Sequence, residues 1–201
     1  MKNIWISTEN EHKKYEFTTL LEPLGFCIHT PSELSNFSSV AETGTTFAEN
    51  AILKAQALYN LVKEPVIADD SGIVVTALNG APGIYSARYA GEHATDAQNR
   101  QLLLKNMENI EQRDAYFIAV IAIVADSHIT KTFEGQSQGY ILYEEQGENG
   151  FGYDNLFFST EINKTFAEAT IEEKNQVSHR ARALQKMLAD NFFNRSGGEA
   201  E

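Results

Sequence analysis

A chain of 201 residues, 42% hydrophobic and 22% charged, has the composition of a globular protein with a sizeable core. Its formal net charge of −12 excludes a general nucleic-acid binder but not a small phosphorylated ligand, since a divalent cation can bridge carboxylates to phosphates. The single Cys27 excludes an intramolecular disulfide and a cysteine metal site and points to a reducing cytoplasm, and no apolar stretch is long enough for a signal-peptide core or a membrane span.

No repeat or linker interrupts residues 1–195, which read as one domain, and Ser196 to Glu201 reads as a disordered tail. Lys2 to Ser7 reads as a first strand. Asn10 then caps a helix with Phe17, Leu20, Leu21 and Leu24 inward, and Phe26 to His29 gives a second strand. Thr46 and Glu49 have the spacing of a capping box, opening a helix with Phe47, Ala51, Ala55, Leu58 and Val62 on one stripe. Pro65 ends that helix. A short strand, Val66 to Ala68, delivers Asp69 and Asp70, and Ile73 to Leu78 reads as a separate strand before the turn-rich Asn79 to Gly83. Thr95 and Gln98 open a helix through Leu104. Tyr116 to Ala125, apolar almost throughout, is a strand buried on both faces. Lys131 to Glu134 and Gly139 to Tyr143 suggest two more strands. Ser178 opens a last helix with Leu184, Met187, Leu188 and Phe192 inward. Such an order implies an α/β protein with a mixed sheet covered by helices.

Polar residues gather in five places. Ser7 to Lys13 forms a strand-to-helix turn whose free N–H groups and Lys13 suit a phosphate, although an ordinary capped helix reads the same and Glu9 and Glu11 oppose an anion. Glu42 precedes a helix in which Asn50 and Lys54, four residues apart, share a face turned either to a cleft or to water. Asp69 and Asp70 must point to opposite faces of a strand, so one faces the site and the other braces a turn. Gly150-Phe151-Gly152-Tyr153-Asp154 suits a flat base or is a loop with buried aromatics. Finally, His179 and Arg180 lie in the first turn of a helix, where the dipole disfavours positive charge. They make sense there if an anion or a polar base edge is gripped; a solvated first turn is the alternative.

Four segments together, "ETGTTFAENAILKA" (42–55), "IADDSGIVVTALNGAPGIYSARYAG" (67–91), "GFGYD" (150–154) and "SHRARAL" (178–184), carry a resemblance that runs from Ile4 to Leu188. The chain resembles the inosine triphosphate pyrophosphatase family, which acts on non-standard purine nucleoside triphosphates. The resemblance implies a two-lobed fold around a long, curved mixed sheet with the active cleft between lobes, a homodimer, and Mg²⁺-dependent (or Mn²⁺-supported) hydrolysis of ITP, dITP and XTP to monophosphate and pyrophosphate. Charge and the lack of a membrane-length stretch lead to the expectation of no nucleic-acid or membrane partner. It places Thr8, Glu9, Asn10, Glu11, His12 and Lys13 at the phosphates, Glu42 and Asp70 at the metal, and Ser71 at the substrate. Asp70 also matches the general base. Phe151, Gly152, Tyr153, Asp154, Lys174, His179 and Arg180 match the residues around the purine. Two positions depart from the family's pattern: Glu9 stands where glycine is common, and Asn155 where proline follows "GFGYD", which would loosen that loop.

These assignments imply that Asp70 deprotonates a water attacking the α–β linkage, with Lys13 stabilising phosphate charge and Lys54 a second candidate. Ser71 and Gly72 would let phosphate approach. Arg180 or a protonated His179 would select a 6-oxo purine by donating to it. Two rivals remain: a Maf-like pyrophosphatase of pyrimidine or modified nucleotides, and a slow-turnover nucleotide sensor.

Overall fold

The computed structural model describes residues 2–126 and 129–190. Seven strands form one mixed sheet in the order β2-β1-β3-β4-β5-β6-β7. They are β1 (Lys2–Ile6), β2 (Phe26–His29), β3 (Val66–Val75), β4 (Asp114–Asp126), β5 (Ile129–Ile141), β6 (Phe157–Ser159) and β7 (Lys164–Thr165). The helices are α1 (Glu11–Leu21), α2 (Phe47–Val62), α3 (Asp96–Asn106), α4 (Ile171–Val177) and α5 (His179–Ala189). β1 runs parallel to β2 and β3, as helical crossovers require, and every later pairing is antiparallel. The mixed sheet with helices on its faces is the architecture the residue pattern implies.

Strand periodicity assigns the faces. Ile67 on β3 and Ile121 and Ile123 on β4 pack with Phe17, Leu21, Leu184 and Met187 from α1 and α5. Their neighbours Val66, Ala68, Ala122 and Val124 pack with Ala51, Ala55 and Leu58 from α2. A third cluster joins Ile73, Val75 and Phe117 to Leu103 and Met107 of α3 and to Tyr153, Phe157 and Phe166.

Several sequence expectations change. The aspartates do not end a strand: β3 is one ten-residue strand paired residue by residue with β4, from Val66↔Val124 to Val75↔Ala115. Only Thr76–Leu78 turns away, as a 3₁₀ turn. The two strands expected within 131–143 are a single thirteen-residue β5, because β4 is equally long and pairs along it. Leu24 lies beyond α1 in a 3₁₀ turn and is exposed. The capping box of α2 is half formed: Thr46 accepts from the Glu49 N–H at 3.1 Å, but the Glu49 carboxylate accepts from Thr45 N–H (2.6 Å). Lys63, at φ 57°, rather than Pro65, terminates α2. β6, β7 and α4 had no expectation. The inward Phe192 and the tail 196–201 lie outside the described residues.

Candidate active site

β3 carries its two aspartates into two different environments, one on each face of the sheet. Asp69, with Ile67 and Ser71, faces α1 and α5. Its Oδ2 accepts from Arg180 Nη2 (2.8 Å) and Nε (3.1 Å), and its Oδ1 lies 3.2 Å from Lys13 Nζ. Asp70, with Ala68 and Gly72, faces α2, where its Oδ1 accepts from Lys54 Nζ (3.1 Å) and its Oδ2 from the Asn50 side chain (3.2 Å). The shared face of Asn50 and Lys54 therefore turns to a cleft. Burial opposes the charge on Asp69, but Arg180, Lys13 and Lys54 outweigh it and hold the carboxyl far below the usual range. At Asp70 burial prevails over Lys54 and the carboxyl is raised, which suits a general base.

Gly72 lines the cleft and also has a packing role. A Cβ there would lie 2.4 Å from the Gly83 carbonyl and from Ser86 Oγ, so its hydrogen lets the 3₁₀ turn Gly83–Arg88 press on β3. Ser86 pins that turn, donating to the Gly83 carbonyl (2.7 Å) and accepting from Ile73 N–H (2.9 Å).

Glu42 faces Asp70 across a shared ammonium. Lys54 Nζ lies 2.8 Å from Glu42 Oε1 and 3.1 Å from Asp70 Oδ1, and Arg88 Nη1 holds Glu42 Oε2 at 3.1 Å. Burial works against the Lys54 ammonium, but Asp70, Asp69 and Glu42 raise it above the ordinary lysine value. Two carboxylates that share one cationic group have the spacing for one shared metal ion. No cluster of three or more His, Cys, Asp or Glu side chains suited to a metal exists among the described residues. Two carboxylates completed by water and phosphate oxygens are the donor set that fits Mg²⁺.

The turn before α1 lies beside this group, but it is largely self-capped. Asn10 Oδ1 accepts from His12 N–H (2.9 Å) and Lys13 N–H (3.1 Å), Thr8 Oγ1 accepts from Asn10 N–H (3.2 Å), and Thr8 N–H donates to Ile6. Of residues 8–13 only Glu9 and Glu11 have amides without a partner among the described residues, so the backbone is a weaker phosphate cradle than expected. Lys13, Lys54, Glu42, Thr8 and Glu9 line one cavity of about 350 Å³. The exposed Glu9 carboxylate has no partner among the described residues.

A second cavity, of about 140 Å³, adjoins it through Asn10, Lys13 and Glu42 and extends to Ser71, Phe151, Gly152, Tyr153, Asp154, Lys174, His179 and Arg180. At its far wall Asp154 Oδ2 accepts from Phe151 N–H (3.0 Å) and from Lys174 Nζ (2.7 Å). Gly150, at φ 79°, passes so close that a Cβ would lie 2.3 Å from that oxygen. Asp96 Oδ2 accepts from Gly152 N–H (2.7 Å), while Arg100 Nη1 donates to the Gly152 carbonyl (2.8 Å). The Tyr153 hydroxyl donates to the Ser86 carbonyl at 2.8 Å. Asn155 does not loosen the loop: its side-chain amide donates to the Gly147 carbonyl (2.7 Å) and fixes it.

Buried charges of alternating sign connect the two ends. Asp154 pairs with Lys174 (2.7 Å), Lys174 with Glu16 (2.8 Å), Glu16 with Arg180, Arg180 with Asp69 (2.8 Å), and Asp69 with Lys13 (3.2 Å). Arg180 also donates to Ser71 Oγ at 2.9 Å. Burial opposes the Glu16 carboxylate, yet Arg180 and Lys174 bring it down to about 2.

Two base-reading assignments change accordingly. Arg180 is 1% exposed and commits its fork to the protein's own carboxylates. His179 is held well below the usual histidine range by burial, with Arg180 adding to it, so at neutral pH it is not the protonated donor expected. Its ring stacks on Phe117 (4.8 Å between centroids), and Nδ1 has no hydrogen-bond partner among the described residues.

Glu16, Arg88, Asp96 and Arg100 were not singled out from the sequence. Glu16 had a signal: it falls three residues after Lys13, on the inward stripe of α1 with Phe17, and a carboxylate there needs a buried cation.

Comparison with known proteins adds lineage to this geometry. The model of the Ham1 family matches residues 4–190. A relative from Geobacillus kaustophilus named dITP/XTP pyrophosphatase is 48% identical over 189 residues, covering 93% of each chain. The solved structure of the Staphylococcus aureus Ham1 protein superposes with a TM-score of 0.85 at 42% identity, covering 97% of this chain and 100% of that one. A HAM1 protein from Coxiella burnetii superposes at 0.84 with 39% identity, covering 93% of this chain and 96% of its own.

Proposed function

The chain belongs to the Ham1 family, and from that premise we propose that it is a nucleoside triphosphate pyrophosphatase. It hydrolyses non-standard purine nucleoside triphosphates (ITP, dITP and XTP) to the monophosphate and pyrophosphate, clearing them from the nucleotide pool. The observation that carries this reading is the division of labour along the two adjoining cavities. Phe151, Asp154, Lys174 and His179 lie at one end, Lys13 and Lys54 at the other, and Asp70 between them.

In the reaction Asp70 takes the proton of a water attacking at the α–β linkage, and Asn50 fixes the orientation of its carboxylate. Lys13 and Lys54 meet the phosphate charge, and Lys54 must exchange part of its pairing with Glu42 and Asp70 to do so. Glu42 and Asp70 would hold Mg²⁺, with Mn²⁺ as a substitute, and the ion would supply neutralisation of phosphate charge. No covalent intermediate is needed. At the base, a neutral His179 offers one N–H, enough to donate to a 6-oxo group and not to a 6-amino group. On this reading residues 1–195 are a single two-lobed domain with the cleft between the lobes, and the protein works as a cytoplasmic homodimer.

Pyrophosphate release from ITP, XTP, GTP and ATP under Mg²⁺ tests this reading. Rates for ITP and XTP well above ATP are expected; equal rates, or orthophosphate as the product, would overturn it. Glu9 enters here as a modulator. Its carboxylate faces the phosphate cavity unpaired, and like charges a few ångströms apart in water cost about 1 kcal/mol. Glu9→Gln is therefore expected to lower KM for ITP about fivefold with kcat nearly unchanged. A raised KM would make Glu9 a cation ligand instead.

A further inference from the structure

The flat-base reading of the Phe151 loop needs an aromatic face of Phe151 for the base, and two groups already lie against that ring. The His12 ring lies parallel to it, 7° between planes and 4.9 Å between centroids. Lys174 Nζ lies over the ring at 5.0 Å from the centroid. A purine that stacks on Phe151 where either group lies must displace it.

The neighbours decide which. Lys174 is 4% exposed and held by carboxylates at 2.7 and 2.8 Å, so moving it would strand Asp154 and Glu16. Phe151 is held too: its own amide donates to Asp154, and the next residue, Gly152, is tied to Asp96 and Arg100. His12 is different. It is exposed in the first turn of α1, and its side chain has no hydrogen-bond or ion-pair partner among the described residues. Only its backbone N–H is engaged, with Asn10. Rotation about its side-chain bonds frees the face of Phe151 and disturbs nothing else.

Resting on the nucleotide-binding reading, we infer that His12 is a placeholder for the purine: it covers Phe151 in the free protein and leaves when the base arrives. Binding then exchanges one aromatic stack for another, which lowers affinity for every purine alike. His12 also joins the base end of the cleft to the helix whose first turn borders the phosphate end, so base arrival and release of the α1 contact are one event.

Calorimetric titration of His12→Ala and wild type with α,β-methylene-ITP, and with inorganic tripolyphosphate as a probe without a base, tests this. An aromatic pair of this kind is worth enough to change Kd about twofold to tenfold. His12→Ala is expected to raise affinity for the inosine nucleotide by that factor relative to its affinity for tripolyphosphate, and His12→Phe to restore the wild-type ratio. In the free protein the His12 ring protons should be shifted upfield in NMR by the Phe151 ring current and lose that shift in Phe151→Leu. If wild type binds the nucleotide and His12→Ala leaves that ratio unchanged, the exchange is wrong and the parent reading stands. A lower ratio in His12→Ala would make His12 a wall of the base slot, also overturning the exchange. If wild type binds no inosine nucleotide, the parent reading falls and the exchange with it.

Discussion

Asp70→Asn should lower kcat for ITP hydrolysis by about two to four orders of magnitude, the usual contribution of a positioned general base. The substitution is nearly isosteric, and the neighbours limit its structural damage. Lys54 retains Glu42 at 2.8 Å, and the carbonyl of the new amide can still accept from Asn50 or Lys54. Loss of rate with an unchanged melting temperature would separate chemistry from folding. The variant should also need more Mg²⁺, since Glu42 would be the one carboxylate left to hold it. Manganese titration followed by electron paramagnetic resonance measures that second effect without turnover. A kcat within a few-fold of wild type at saturating Mg²⁺ would remove Asp70 from the role of base and leave Glu42, which shares Lys54 with it, to take it.

What the sequence could reveal about this site follows from the range of the forces involved. Strand alternation is local, so period-two geometry alone assigns the adjacent carboxylates to opposite faces, and β3 places them there. The four-residue spacing of Asn50 and Lys54 was equally legible as a shared face, while its direction, toward Asp70 and not toward water, depended on how α2 packs on β3. The length of β5 was not legible. Its polar stretch Glu134 to Gln138 breaks the apolar pattern, and only the long antiparallel pairing with β4 carries the strand through it. Asn155 shows how a departure from a family pattern misleads when its partner is distant in sequence. The lost proline suggested a looser loop, and the side chain instead hydrogen-bonds the Gly147 carbonyl.

Arg180 is where local and tertiary reasoning diverge most, and it carries the second large prediction. Two cationic candidates at the start of a helix oppose its dipole, so an anion or a polar base edge to grip was expected there. The anion is internal: Asp69 from β3 and Glu16 from α1 converge on one guanidinium. Arg180→Leu would leave both carboxylates buried, 2% and 4% exposed, without that partner. Removing one member of such a network costs about 3–5 kcal/mol. In a chain of this size each kcal/mol corresponds to about 2–4 °C, so a melting-temperature loss on the order of 10 °C is expected. Arg180→Lys should recover only part of it, because one ammonium cannot reproduce a fork that meets Asp69, Glu16 and Ser71 together. Adding Glu16→Gln to Arg180→Leu should restore some stability by discharging one stranded carboxylate, whereas Glu16→Gln alone should destabilise. That reversal of sign would identify coupled charges and could not come from lost packing alone. If Arg180→Leu instead melts within about 1 °C of wild type and only loses preference for ITP over ATP, the guanidinium faces the base and the internal network is not its main task.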